Sequence, residues 1–317
     1  MKKYYLIILS VLILGAVIII IVSKQDDTNL ILESEPPRQT VHLTDVAIGE
    51  IANIDSLLIQ VVSILHSEGT SVDIPGKGNE YIIIKVAIKN NRSYPIKYSA
   101  DDFKATIDKL TINLSIVSGF NTMSSGELVP GGMIDGNLVF EVPSDTLEIS
   151  LESNTSASYN DSVIFNLSKT IDPFEPLKEG ALFESFNIYQ LGEKVKLMDS
   201  YISVLSTDST SLMDSKGVRS FLISATVQIE NIGYSSQSYR PQFFKICNSK
   251  GQVFYPILDS SFSDHALVDG LLQTGESVTG DVIFQYPSDN DIAYLVYDGP
   301  QYMGGSYDNI AVFQINH

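Results

Sequence analysis

Residues 81–90 read Tyr81-Ile-Ile-Ile-Lys-Val-Ala-Ile-Lys-Asn90, and residues 221–231 read Phe221-Leu-Ile-Ser-Ala-Thr-Val-Gln-Ile-Glu-Asn231. Setting Asn90 against Asn231 places Ile82, Ile84, Val86 and Ile88 on Ile223, Ala225, Val227 and Ile229. Between them lie Lys85 and Lys89 in the first stretch, and Ser224, Thr226, Gln228 and Glu230 in the second. Period-two alternation marks a half-buried strand, and a one-residue slip would turn its apolar face to water. The chain therefore states one strand twice, about 140 residues apart.

The register extends outward from this strand. Tyr98 and Phe103 fall on Tyr239 and Phe244, and Pro130-Gly-Gly-Met-Ile-Asp-Gly136 answers Thr274-Gly-Glu-Ser-Val-Thr-Gly280. Gly131 and Gly275 suit turns with positive φ, whereas Gly136 and Gly280 suit a bulge or a close backbone approach. Strands follow that run into Pro143 and Pro287, and proline, lacking a ladder donor, is expected to end them or lie at an edge. A third shared strand matches Leu147, Ile149 and Leu151 to Ile292, Tyr294 and Val296. Phe103, Phe140, Phe244 and Phe284 are the expected core aromatics. Short alternating runs between Gly, Asn, Asp and Ser clusters, with almost no helical periodicity, predict an all-β chain: two tandem immunoglobulin-like antiparallel β-sandwiches.

These residues carry a resemblance. An apolar strand, Asn90-Asn91, Tyr98, Phe103, Pro130-Gly131, Gly136, Phe140 and Pro143 recur as Asn231-Ile-Gly233, Tyr239, Phe244, Gly275, Gly280, Phe284 and Pro287. The order resembles an uncharacterised family of bacterial and archaeal surface domains, telokin-like and similar to the sandwich of secreted mycobacterial antigens. The resemblance implies an extracytoplasmic, non-enzymatic module and supplies no catalytic residues. The first copy departs from the second in lacking the polar turn Asn248-Ser-Lys-Gly-Gln252, which leaves the matching hairpin without a turn signal.

Residues 1–24 carry Lys2 and Lys3, then no charge from Tyr4 to Ser23, then Lys24. Twenty such residues as a helix span about 30 Å, the thickness of a bilayer core. The length fits an uncleaved transmembrane signal anchor, single-pass, with its N-terminus cytoplasmic and the bulk of the chain extracytoplasmic, the alternative being a cleaved signal peptide. Residues 25–44 then form a stalk, 45–168 the first sandwich, 169–186 a stiff proline-containing linker, and 187–317 the second sandwich.

The net charge is −18, and the three lysines of the first 24 residues leave the remainder more acidic still. Such a surface repels nucleic acid and anionic headgroups. A single cysteine, Cys247, permits no intrachain disulfide and reads as a small buried hydrophobe. The acceptor sequons at Asn91, Asn113, Asn154, Asn160 and Asn166 matter only in a host that glycosylates its surface proteins.

His42, His66, His265 and His317 sit in no metal or catalytic spacing, and no phosphate-binding glycine loop or serine elbow occurs. The chain is therefore expected to be no enzyme and to need no cofactor. The candidate ion site is Asp289, Asn290 and Asp291 with Asp298, whose oxygens suit Ca²⁺. Tyr302 and Tyr307 are the candidate partner-contacting residues, tyrosine offering area and a polar tip. The function expected is a membrane-anchored interaction module that binds an envelope or surface protein. The alternatives are a structural spacer or assembly protein of the cell envelope, and a Ca²⁺ or small-ligand sensor.

Overall fold

The computed structural model describes residues 42–154, 161–170, 174–213, 219–286, 292–299 and 310–315. The expected anchor and most of the stalk lie outside these residues. The first copy holds β1 (His42–Ile48), β2 (Ile51–Ile54), β3 (Leu57–Ser67), β4 (Asn79–Asn90), β5 (Ile96–Tyr98), β6 (Phe103–Ile107), β7 (Leu110–Ile112), β8 (Gly126–Leu128), β9 (Met133–Pro143), β10 (Ser150–Ser153) and β11 (Ser162–Thr170). The second holds β12 (Ile188–Tyr189), β13 (Val195–Leu197), β14 (Ser200–Met213), β15 (Arg219–Asn231), β16 (Gln237–Tyr239), β17 (Phe244–Asn248), β18 (Val253–Phe254), β19 (Pro256–Ile257), β20 (Gly270–Leu272), β21 (Ser277–Tyr286), β22 (Ile292–Asp298) and β23 (Ile310–Gln314).

Both copies are sandwiches of one topology. Sheet order β2-β3-β4-β9 answers β13-β14-β15-β21, which carries the short β19 as an added edge strand, and β1-β11-β10-β6-β7 answers β12-β23-β22-β17-β18. In each, the first strand joins the last in parallel while the remaining ladders are antiparallel. The equivalence holds residue by residue. The β3–β4 ladder shifts register between Val61 and Ser63, and the β14–β15 ladder between Val204 and Ser206, so the same bulge occurs twice.

The quoted strands sit where their pattern requires. Ile82, Ile84, Val86 and Ile88 are buried in the first core, and Ile223, Ala225, Val227 and Ile229 in the second. Phe103, Phe140, Phe244 and Phe284 are buried as expected. The strand β9 ends at Pro143, while Pro287 lies outside the described residues.

The paired glycines have separate jobs. Gly136 faces Val86 and Gly280 faces Val227 across their ladders. A Cβ on Gly136 would stand 2.9 Å from the Met123 Cα, and one on Gly280 3.0 Å from the Leu267 Cα. The close approach exists because Thr122 bridges Asn137, and Ala266 bridges Asp281, in parallel.

Gly131 and Gly275 both have positive φ, at 83° and 81°. They differ in surroundings: a Cβ on Gly131 would lie 2.2 Å from the Ala181 carbonyl oxygen, whereas nothing stands within 4 Å at Gly275. Gly275→Ala is accordingly expected to cost about 1 kcal/mol of left-handed strain, and Gly131→Ala about 3–5 kcal/mol because a backbone clash is added. Urea unfolding of the two variants measures the difference.

The structure corrects two expectations. The third shared strand is matched one residue off. Leu151 pairs with Ala105 and Leu295 with Ile246, and since Phe103 faces Ser153 as Phe244 faces Tyr297, Leu151 corresponds to Leu295, not Val296. Val296 therefore points to the opposite face and corresponds to Glu152. The first copy also forms the hairpin for which no turn signal was read: Ile107 pairs with Leu110 around Asp108 and Lys109, both at positive φ. Two consecutive residues of that kind make the tight turn that fits strand twist.

Candidate functional site

Of the segment 169–186, expected to be a stiff linker, residues 174–186 pack along the first sandwich as a strap. Gln60, fully buried, donates from Nε2 to the Gly49 and Glu175 carbonyls at 2.7 and 2.9 Å and accepts from the Leu177 N–H at 2.9 Å. The Phe174 ring occupies the place a Cβ on Gly49 would need. Further on, Leu182 and Phe183 are buried between the two sandwiches.

That junction is a small core of its own. Val129, at the end of the first sandwich, joins Leu182 and Phe183 against Cys247, Val296 and Val312. The Phe183 ring meets Tyr294 edge-on at 5.3 Å. Backbone bonds cross it, Val129 N–H to the Gly251 carbonyl at 3.0 Å and Met133 N–H to the Lys250 carbonyl at 2.9 Å. What the second sandwich offers here is the outward face of its β12-β23-β22-β17-β18 sheet. The cross-strand pairs place Cys247, Tyr294 and Val296 where the first sandwich has Thr106, Ser150 and Glu152. One fold thus carries a dry face in one copy and a wet face in the other.

One ion cluster lies in the junction. The Lys245 ammonium sits 3.1 Å from both the Glu127 and Asp298 carboxylates, with all three side chains largely buried. The Tyr255 hydroxyl also donates to Glu127. Burial pulls the Lys245 ammonium down, but the two carboxylates outweigh it and the net shift is upward. A folded-state value above the unfolded one gives a contribution fully present below ordinary lysine titration and lost as pH rises through the raised value. Burial, then Glu127, pushes the Tyr255 phenol up as well.

Asp298, expected to ligate Ca²⁺, is held in this pair. Its proposed companions Asp289, Asn290 and Asp291 lie outside the described residues, as do Tyr302 and Tyr307. Among the described residues no group of three or more His, Cys, Asp or Glu side chains could hold a metal ion. Cys247 is fully buried and its thiol is pushed well above the ordinary range by desolvation. Thiolate, not thiol, is the reacting species, so the native chain is expected to resist thiol reagents at pH 8 and to label only on opening or unfolding. Mass spectrometry of alkylated protein with and without denaturant reads this directly.

Open clefts of about 530 and 360 Å³ lie on the first sandwich, and two others lie beside the strap and on the second sandwich. One, of about 550 Å³, is lined by Lys89, Arg92, Pro130 and Glu184 beside the strap. Its cations are already engaged, Lys89 with the Lys178 carbonyl and Arg92 with the Asp55 and Ile54 carbonyls. The other, of about 210 Å³, lies on the second sandwich between residues 257–260 and 266–269. Leu258 and Val268 line it while 63% and 58% exposed, and Asp259, Asp269 and Asp281 stand around it. The ladders β5–β8 and β16–β20 set Tyr98 against Gly126 and Tyr239 against Gly270. Val268 and Leu271 therefore occupy the places of Ser124 and Glu127. Sequence reading singled out neither groove nor junction, although this exchange of polar for apolar residues at matched positions was visible.

The two sandwiches with their shared features are matched, at residues 46–164 and 189–308, by one family described as a domain of unknown function, DUF4352. The chain belongs to the DUF4352 family. Its two DUF4352 copies span most of the sequence and coincide with the two sandwiches. Among solved structures it is similar to the yjhA protein from Bacillus subtilis, at 21% identity and a TM-score of 0.32, over 41% of this chain and 100% of that one. It is also similar to a putative lipoprotein, ycdA, from Bacillus subtilis, at 14% identity and 0.35, over 38% of this chain and 39% of the other. A third is MPT63, a secreted protein from Mycobacterium tuberculosis, at 13% identity and 0.31, over 41% and 98%. No curated protein matches the chain.

Proposed function

We propose that this DUF4352 chain is a membrane-tethered, extracytoplasmic interaction module without catalytic activity, in which the first sandwich and its strap hold the second in one orientation. The observation that carries the reading is the divergence of the copies on a common backbone. Where the first sandwich keeps Ser124, the second exposes Val268, which lines the cleft together with exposed Leu258, and Leu271, also exposed, stands where the first has Glu127. Exposed apolar side chains clustered at a cleft cost solubility, and their use is to be covered by something. The uncharged run from Tyr4 to Ser23 supports the tether.

Crosslinking on intact cells that express the full-length chain tests the proposal. A single surface protein, captured reproducibly and lost on Leu258→Ser with Val268→Ser, is the expected result. Equal yields from the parent and the double variant would refute an interaction through this face. Tolerance of surface changes, combined with sensitivity to stalk length, would favour a spacer instead.

A further inference from the structure

Resting on that reading, we infer that the groove on the second sandwich takes a short polypeptide segment that is both cationic and apolar, its apolar side chains entering beside Leu258 and Val268 and its basic ones facing Asp259 and Asp269.

The size of the groove argues first. At about 210 Å³ it falls below the range of small-molecule and cofactor pockets, roughly 300–1,000 Å³, and suits side chains. Its floor is apolar, with Ile257, Leu267, Val282 and Ile283 buried or half-buried beneath the exposed pair.

Charge argues second. The lining includes three carboxylates and no lysine, arginine or histidine. Asp281 is occupied internally, accepting from the Thr226 hydroxyl at 2.8 Å and the Ser263 hydroxyl at 2.7 Å. Asp259 is bonded locally, by the Ser261 N–H at 2.9 Å and by the Ser261 side chain, which together hold its carboxyl below the ordinary range. Asp269 has Arg240 at 3.7 Å, a loose pair with both side chains more than half exposed. Two carboxylates at the rim therefore keep most of their hydration and are open to a further cation. An acidic segment would meet these charges and the chain's net −18 together, whereas a basic one is drawn in by both.

The same charge argues against an anionic lipid surface, and it disfavours a second copy of this chain, which would bring its own aspartates to the same rim. A basic, apolar segment satisfies rim and floor at once.

Fluorescence polarisation with the full-length chain in detergent micelles, at physiological salt, tests the inference. The probe is a short labelled peptide of alternating lysine and leucine, with Lys/Ser and Glu/Leu peptides as comparisons. Saturable one-site binding of the Lys/Leu peptide is expected, with neither comparison peptide binding. Val268→Ser, which restores the first sandwich's residue, is expected to weaken it roughly tenfold, about what burial of one valine side chain is worth. Asp259→Asn with Asp269→Asn should weaken it and flatten its salt dependence, while Leu110→Ser, an exposed apolar site on the other sandwich, should change nothing.

Equal binding of Lys/Ser peptide, or no effect of Val268→Ser, would show attraction to bulk negative charge and overturn the inference. So would binding of phosphatidylglycerol vesicles that is abolished by Val268→Ser, since the groove would then be a lipid site. A cell-surface partner captured by crosslinking despite failure of every peptide would sink this inference while leaving the interaction module standing.

Discussion

Val296→Glu is expected to part the two sandwiches without unfolding either. The substitution installs the residue that the first sandwich carries at the matched position, Glu152, on a side chain now 3% exposed. Lys245 lies directly across the ladder from Val296, so the new carboxylate would compete with Glu127 and Asp298 for one ammonium. Three acids and one base in a largely dry site leave charge uncompensated, a burden of about 3–5 kcal/mol. The main cores contain neither Val296 nor its junction partners, so sheet content should survive. Far-ultraviolet circular dichroism at 25 °C should therefore stay near the parent while Cys247 becomes reactive. If Cys247 stays protected and unfolding is unchanged, the junction is not the source of the coupling.

The second large effect belongs to the buried asparagines. Asn90 donates from Nδ2 to the Tyr94 and Leu128 carbonyls at 2.8 and 3.0 Å and accepts from the Arg92 N–H at 3.0 Å. Asn231 repeats this with the Ser235 and Leu272 carbonyls and the Gly233 N–H, at 2.8, 2.9 and 2.9 Å. Each side chain is fully buried and ties the end of a central strand to the last residue of a short two-stranded ladder, β5–β8 in the first copy and β16–β20 in the second.

Alanine at either position strands two carbonyls and one N–H. Each buried orphan costs about 1–3 kcal/mol, so a loss of about 3–5 kcal/mol is expected from a total stability of roughly 5–15. Guanidinium unfolding should show it in both variants, but only Asn90→Ala should also expose Cys247, because the Leu128 carbonyl that Asn90 holds is followed directly by Val129, which packs in the junction. A loss below about 1 kcal/mol would mean that water replaces the amide at these sites.

How legible the fold was depends on how many faces of a strand are wet. The strand ending at Asn231 keeps polar residues on one side, and the strand ending at Asn90 does so at Lys85 and Lys89, so period two placed the sandwich-core positions correctly. Tyr81 and Ile83, on the other side of the first strand, are buried in a separate small cluster with Val117 and Val139. The strand Ile292–Asp298 is Ile-Ala-Tyr-Leu-Val-Tyr-Asp, apolar on both sides because one face enters the core and the other the junction. With no alternation to read, its register came out one residue wrong. The strap was missed for a related reason: Leu177, Leu182 and Phe183 look like isolated apolar residues among prolines and acids, and only the amide of Gln60, in a distant strand, shows what they lie against.

The hairpin at Asp108 and Lys109 escaped because lysine is an unusual residue for positive φ. Gly126 and Gly270 went unremarked although each recurs opposite a tyrosine: a Cβ at either would strike the Tyr98 or Tyr239 ring. The groove could have been found from sequence by subtracting one copy from the other. Ser124 against Val268 and Glu127 against Leu271 are differences that the shared fold does not require.

The locked arrangement of the two sandwiches is tested most directly by a distance between them. Spin labels at Leu110→Cys and Tyr234→Cys, both exposed sites, report it by double electron–electron resonance in the full-length chain carrying Cys247→Ala, so that the thiol exposed by Val296→Glu adds no third label. A single narrow distance that broadens on Val296→Glu is the expected result. A broad distribution in the parent chain, unchanged by that substitution, would contradict a fixed junction and leave the strap as an ordinary tether.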